Sequence, residues 1–376
     1  MLPPLPLVSA AITALFATRT PAQPIAAPPP SAEISFSIVA PDATGPWKLV
    51  AENRSPETLR FAADGRLLML EIEPLAPADV PDAAGTSAAK AVQHKRVTKP
   101  PKPVQCKLPA DMRPSGVVDE RALLLRPGER YEEVFSPALF CFDAAQAKAL
   151  IPGARVTAHL GFAVPVQKGA KPVLLRAPFV AEPVDSKTSY GPVKELVSNT
   201  FTVPPMPASD DAGATRDQAA PSDAGAPQLD LLVPARVDAE SERTVGMTAR
   251  VKNIGGRPAL LHLRRDNFMF RVDGPSESAD CGTPSENRTV ARDQFSELKP
   301  QGSIAADIWV GEMCSDVVFD RPGLYRVGVA LAFPNTTSPG PLSAWQAPLS
   351  AKQPVLVRVR EGRLPFYSSP PEALGR

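Results

Sequence analysis

Apolar and polar residues alternate with a period of two at several points along the chain. Ile34, Phe36 and Ile38 alternate with Glu33, Ser35 and Ser37; Leu68, Leu70 and Ile72 with Met69, Glu71 and Glu73; Val327, Val329 and Leu331 with Gly328, Ala330 and Ala332. Successive side chains of a strand point to opposite faces, so each run predicts a strand with one buried face. Asn253, Ile254, Gly255 and Gly256 have turn composition, as do Arg321, Pro322 and Gly323. One short helix is predicted over residues 144–150, where Asp143 caps the start and Gln146 stands three residues on. The 46 Pro and 23 Gly among 376 residues work against long helices, and a helical bundle is excluded.

The strand pattern occurs twice. Asn53 aligns with Asn253, and Leu68, Met69, Leu70, Ile72 and Glu73 align without a gap on Phe268, Met269, Phe270, Val272 and Asp273. Further on, Leu125, Arg126 and Pro127 resemble Leu298, Lys299 and Pro300, with Gly128 and Gly302 close behind. Pro152 and Gly153 match Pro322 and Gly323, and residues 155–162 match 326–333. The order is the same in both halves, which points to an internal duplication. The expected fold is all-β: two tandem immunoglobulin-like β-sandwich domains over residues 33–204 and 228–361, with a jelly roll as the alternative. Residues 205–227 are Ala, Asp, Pro, Ser and Gly with almost no large apolar side chain, the composition of a disordered linker. Residues 365–376 read as a loose tail.

Cys106 and Cys141 fall in the first unit, Cys281 and Cys314 at corresponding points of the second. Of the three possible connectivities, the repeat selects Cys106 with Cys141 and Cys281 with Cys314. Zinc is the rival reading, but there is no Cys-x-x-Cys and the pairs belong to different units. Disulfides require an oxidising compartment. The apolar run of residues 5–16 fits a signal-peptide core, with cleavage after Ala22, so the expectation is an exported chain: periplasmic, cell-surface or extracellular. No stretch approaches the roughly 20 apolar residues of a transmembrane helix.

Charge narrows the functional classes. With 41 Lys+Arg against 40 Asp+Glu the formal net charge is +1, which gives the whole chain no attraction to nucleic acid or membrane. The exception is local: about 25 residues between Pro74 and Cys106 are absent from the second unit, and they carry Lys90, Lys95, Arg96, Lys99 and Lys102 with His94. This basic loop is either an anion-contacting site or a solvated insertion, and no aromatic residue interleaves its charges to stack on bases or sugars.

Catalytic motifs are missing. There is no Gly-x-Ser-x-Gly elbow, phosphate loop, dinucleotide fingerprint or zinc-protease helix. His159 and His262 lie in strand-like runs, Glu132 and Glu133 read as solvated strand positions, and Trp309 reads as a core anchor. The expectation is a non-enzymatic protein with no cofactor and no metal, which binds a protein or glycan of the cell envelope or has a structural role there.

In the second unit, Asn253, Phe268 to Val272, Leu298, Pro300, Gly302, Trp309 and the run Pro322, Gly323, Leu324, Tyr325, Arg326, Val327 resemble the bacterial proteinase-inhibitor-type β-sandwich family. The resemblance covers about a quarter of the chain. It implies a β-sandwich and, as the alternative activity, protease inhibition; no inhibitory site is carried onto any residue.

Overall fold

The structure is a computed structural model that describes residues 32–73, 75, 102–162, 178–185, 190–205, 227–275, 277–282, 291–315, 317–333, 344–366 and 373–374. Residues 1–22, expected to be a signal peptide, and nearly all of residues 205–227, expected to be a linker, lie outside the described residues.

In the first half, β1 (Ile34–Val39), β2 (Trp47–Asn53), β3 (Leu59–Ala62) and β4 (Leu68–Glu73) precede the cysteine-bearing β5 (Val104–Lys107). Then come β6 (Ala122–Leu125), β7 (Arg130–Phe135), the short helices α1 (Pro137–Phe140) and α2 (Ala144–Ala149), and β8 (Arg155–Gly161). Three short strands follow: β9 (Ala181–Pro183), β10 (Glu195–Val197) and β11 (Phe201–Thr202). β1, β2 and β7 form one antiparallel sheet; β10, β8, β4 and β5 form another, with β11 on β8; β6, β3 and β9 form a third.

The second half repeats this plan. Its strands are β12 (Leu229–Leu232), β13 (Arg236–Ala239), β14 (Gly246–Asn253), β15 (Ala259–Leu261), β16 (Phe268–Asp273) and β17 (Ser278–Cys281). β18 (Ser296–Leu298), β19 (Ser303–Trp309), the four-residue helix α3 (Val310–Met313), β20 (Gly323–Leu331), β21 (Leu349–Ser350) and β22 (Val355–Val359) complete it. β12, β14 and β19 pair as β1, β2 and β7 do, and β20, β16 and β17 pair as β8, β4 and β5 do. β13 lies parallel to β22.

Alternation explains the cores. Every second residue of β2 is buried, Trp47, Leu49, Ala51 and Asn53, and the same holds for Val327, Val329 and Leu331 on β20. The buried residues gather into two apolar clusters, one per half. Trp47 anchors the first: its ring meets Phe135 and Phe201 edge-on at 6.1 and 5.6 Å, and its Nε1 donates to the Asp42 carbonyl at 2.7 Å.

Asn53 and Asn253 are buried polar residues with matching roles. Asn53 Nδ2 donates to the carbonyls of Glu57 and Leu125 at 2.7 and 2.9 Å, and Asn253 Nδ2 to those of Arg257 and Leu298 at 2.8 and 2.9 Å. Each Oδ1 accepts from the backbone two residues on, at Ser55 and Gly255. Each asparagine thus ties a turn to the end of a distant strand, Leu125 of β6 or Leu298 of β18, using donors and acceptors that burial would otherwise leave unpaired. The asparagine carbonyls accept from Gly128 N at 2.8 Å and Gln301 N at 2.9 Å, both at positive φ, 78° and 61°. Sequence alignment put Gly302 opposite Gly128; in the fold Gln301 takes the left-handed position, and Gly302 is needed for close approach, since a Cβ there would lie 2.9 Å from the Lys299 carbonyl.

Two sequence expectations are corrected. Trp309 is not a core anchor: it ends the outer strand of its sheet, is 41% exposed, and its ring covers Gly246, where a Cβ would sit 2.6 Å from the indole. The C-terminal residues are not wholly loose, because β23 (Ala373–Leu374) pairs antiparallel with β7 in the first half, Ala373 opposite Tyr131 and Leu374 opposite Arg130.

Candidate functional site

The four cysteines form the disulfides Cys106–Cys141 and Cys281–Cys314. Cys106 lies opposite Leu70 across β4 and β5, and Cys281 lies opposite Phe270 across β16 and β17. Their partners follow the four-residue helices α1 and α3, so each disulfide ties a helix end to the outer strand of a sheet. Of the basic loop, Lys102 is exposed just before β5; Lys90, Lys95, Arg96 and Lys99 lie outside the described residues.

The halves meet along α1 and the start of β20. Leu324, Phe366 and Ala373, all distant in sequence, pack against the apolar cluster of the first half. An ionic network stitches the seam. Arg358, only 5% exposed, donates to Asp238 through Nε at 3.1 Å and Nη2 at 2.5 Å and reaches across to the Leu139 carbonyl at 3.3 Å. Its guanidinium also stacks 4.3 Å from the centre of the Phe142 ring. Arg360 donates to Asp238 at 3.0 and 2.8 Å and to Asp111 of the first half at 3.3 Å. Partial burial opposes the Asp238 charge, but the two arginines outweigh it and hold its carboxyl down at about 2. The same contacts push the Arg360 guanidinium further up.

Beside this seam a cleft of about 310 Å³ opens. Val134, Phe135, Leu139 and Phe140 line it from the first half, Pro275, Pro322 and Leu324 from the second, and Phe366 from the C-terminal segment. Two charged residues enter these apolar walls, Glu133 from β7 and Arg321 from the turn before β20. The alternation of β7 sends Tyr131, Glu133 and Phe135 to one face of the sheet. Glu133 is held in place, its Oε2 accepting from Gly65 N at 2.9 Å and from the Tyr131 hydroxyl. Burial, reinforced by the Glu133 carboxylate, raises the Tyr131 hydroxyl well above its ordinary range, so that it stays a donor. Arg321 Nη1 donates to the Pro365 carbonyl at 3.3 Å. The volume and the mainly apolar lining with two opposed charges suit a ligand that is apolar in body and polar at defined points.

The histidines stand apart from this cleft. His159 Nδ1 lies 3.0 Å from Glu195 at the sheet surface. His262 is buried beside Phe295, and loss of solvent, aided by Arg264, pushes its pKa below the usual histidine value. Glu132 is engaged by Lys48 at 2.8 Å and Arg130 at 3.1 Å, and the lysine hydrogen bond lowers its carboxyl. Among the described residues no group of three or more His, Cys, Asp or Glu is placed to hold a metal ion, and no helix is long and apolar enough to cross a membrane.

No protein family matches the chain, and no curated protein does. Among solved structures it is similar to a red sea bream transglutaminase, at 9% identity and a TM-score of 0.18 over 86% of this chain. The chain spans 31% of the length of that protein. The expectation that the chain is not an enzyme is corrected here: the structure it matches is that of an enzyme, and a likeness this distant carries no argument about activity in either direction. The non-enzymatic reading is withdrawn. What stands is an all-β fold of several sheets with few helices.

Sequence reasoning missed the cleft. Its pieces are scattered at residues 65, 133–140, 275, 321–324 and 366, and no local pattern marks them as neighbours. A clue was the pair Glu132 and Glu133, consecutive on a strand and therefore pointing to opposite faces; one of the two had to face inward.

Proposed function

We propose that the chain is an exported binding or structural protein of the cell envelope, built from two tandem immunoglobulin-like domains of common origin, and that it holds a protein or glycan partner in the cleft between them. The cleft carries the reading: it is apolar, joins both halves, and contains a fixed carboxylate and a guanidinium. Two disulfides favour an oxidising compartment and so support export. The matching asparagine brackets and disulfide positions support the duplication. Tyr325, whose hydroxyl donates to the Arg321 carbonyl four residues upstream at 2.7 Å, makes the kind of corner found in immunoglobulin-like sandwiches.

The test is retention of envelope components on the immobilised protein and on a Leu324→Asp variant, which places a charge in the apolar wall. A component retained by the parent and lost from the folded variant is the expected result. Equal retention by both, or none by either, would refute the cleft as the binding site.

A further inference from the structure

We propose that the outer edge of β7 and the adjoining cleft form a groove for an extended peptide with an aromatic anchor, and that the chain's own C-terminal segment is its resident occupant. The proposal rests on reading the cleft as a binding site, and it names the class of ligand.

Extended peptides are recognised at sheet edges in two ways at once: backbone hydrogen bonds to the edge strand, and a side chain seated in a pocket beside it. The C-terminal segment supplies both. β23 adds to β7 as a further antiparallel strand, and Phe366 lines the cleft and packs against the first half's apolar cluster, with the Arg66 guanidinium 5.9 Å from the ring centre. The residues leading to Phe366 are fastened to the second half: Arg363 to Glu242 at 2.8 Å, Leu364 N to the Asp320 carbonyl at 2.8 Å, and the Pro365 carbonyl to Arg321.

The described part of the occupant covers one end of the edge. β23 pairs with Arg130 and Tyr131, whereas β7 continues to Phe135, and among the described residues no strand lies along that side of Glu132–Phe135. Val134 in this stretch is 60% exposed. Pro370 and Pro371 precede Ala373 closely in sequence, and proline has no N–H to contribute to a ladder. Pro370 and Pro371 limit the ladder that the tail can donate to β7, and a peptide without prolines carries no such limit, so the tail is a displaceable occupant.

The experiment uses purified protein and a fluorescein-labelled synthetic peptide of residues 364–376, read by anisotropy. Its hosts are the full chain, a chain truncated after Arg363, and full-length Phe366→Ala; retained circular dichroism and four oxidised cysteines establish that each host is folded. The tethered tail competes at an effective concentration of roughly millimolar, so the truncated chain should bind the peptide at least tenfold more tightly than the full chain. Full-length Phe366→Ala, which removes the anchor but keeps the whole chain, should also bind more tightly than the parent. A peptide carrying Phe366→Ala should bind at least tenfold more weakly. Equal affinities for the full-length parent and the folded variants, or for the two peptides, would overturn the proposal. Because no envelope component is present, failure here is separate from failure to retain an envelope partner.

Discussion

Asp238→Asn removes the carboxylate charge that faces both Arg358 and Arg360 while keeping size and one acceptor oxygen. In the folded chain the Asp238 carboxyl sits at about 2, against an ordinary 3.8. A difference of close to two units, at about 1.4 kcal/mol each, sets a ceiling of roughly 2.5 kcal/mol. The side chain is 27% exposed, and solvent screening trims the expected loss to about 2 kcal/mol. Because the folded value is depressed, the contribution is complete above about pH 4 and disappears as pH falls toward 2. Urea denaturation of parent and variant, with disulfides intact, should therefore give a gap of about 2 kcal/mol at neutral pH that closes near pH 2. A neutral-pH gap below about 0.5 kcal/mol would refute the reasoning, since the pair would then behave as an ordinary surface ion pair. A gap that persists unchanged at low pH would also refute it, by showing that packing rather than charge holds the seam.

Asn53→Ala and Asn253→Ala should each cost about 2–4 kcal/mol in denaturant titrations, through buried carbonyls left unpaired, and unequal losses beyond about twofold would argue against equivalent brackets. Gln301→Gly should stabilise by about 0.5–1 kcal/mol, read as a higher melting temperature, because glycine adopts the positive φ without steric penalty. Replacing either cysteine pair with serines should cost about 3–4 kcal/mol in the same titrations, as loops of 35 and 33 residues are released in the unfolded chain. His262 has a lowered pKa, so it resists charging in the fold. Stability should fall as pH drops below about 6.5, and less steeply in His262→Gln; identical pH profiles would remove this histidine as the cause.

Period-two alternation found the long strands because burial of one face leaves a direct mark on sequence, as in Ile34–Val39, Leu68–Glu73 and β20. It could not say which strand lies at the outside of a sheet, and this is why Trp309 was read as buried when its strand has a neighbour on one side only. The helix at Asp143 was legible from its cap: Gln146 Oε1 accepts from Asp143 N at 3.1 Å, though the helix closes at Ala149, one residue early. α1 and α3 were not legible, since four residues make little more than one turn and show no helical period. β23, with two residues, has no period at all. The correspondence between the halves was legible because both keep the same turn and bracket residues, but the cleft belongs to neither half alone and arises only where the two meet.

The pairing of β23 with β7 also fixes an order of events during synthesis. β7 emerges from the ribosome long before Ala373, so that edge is made well before the segment that pairs with it. A chain without Ala373 and Leu374 would leave Arg130 and Tyr131 without that strand, and a bare strand edge is a template for pairing with another chain. The β23–β7 pairing is therefore a contact that a chain makes from within itself only once it reaches Leu374, and it brings the C-terminal end of the described fold onto a strand of the first half.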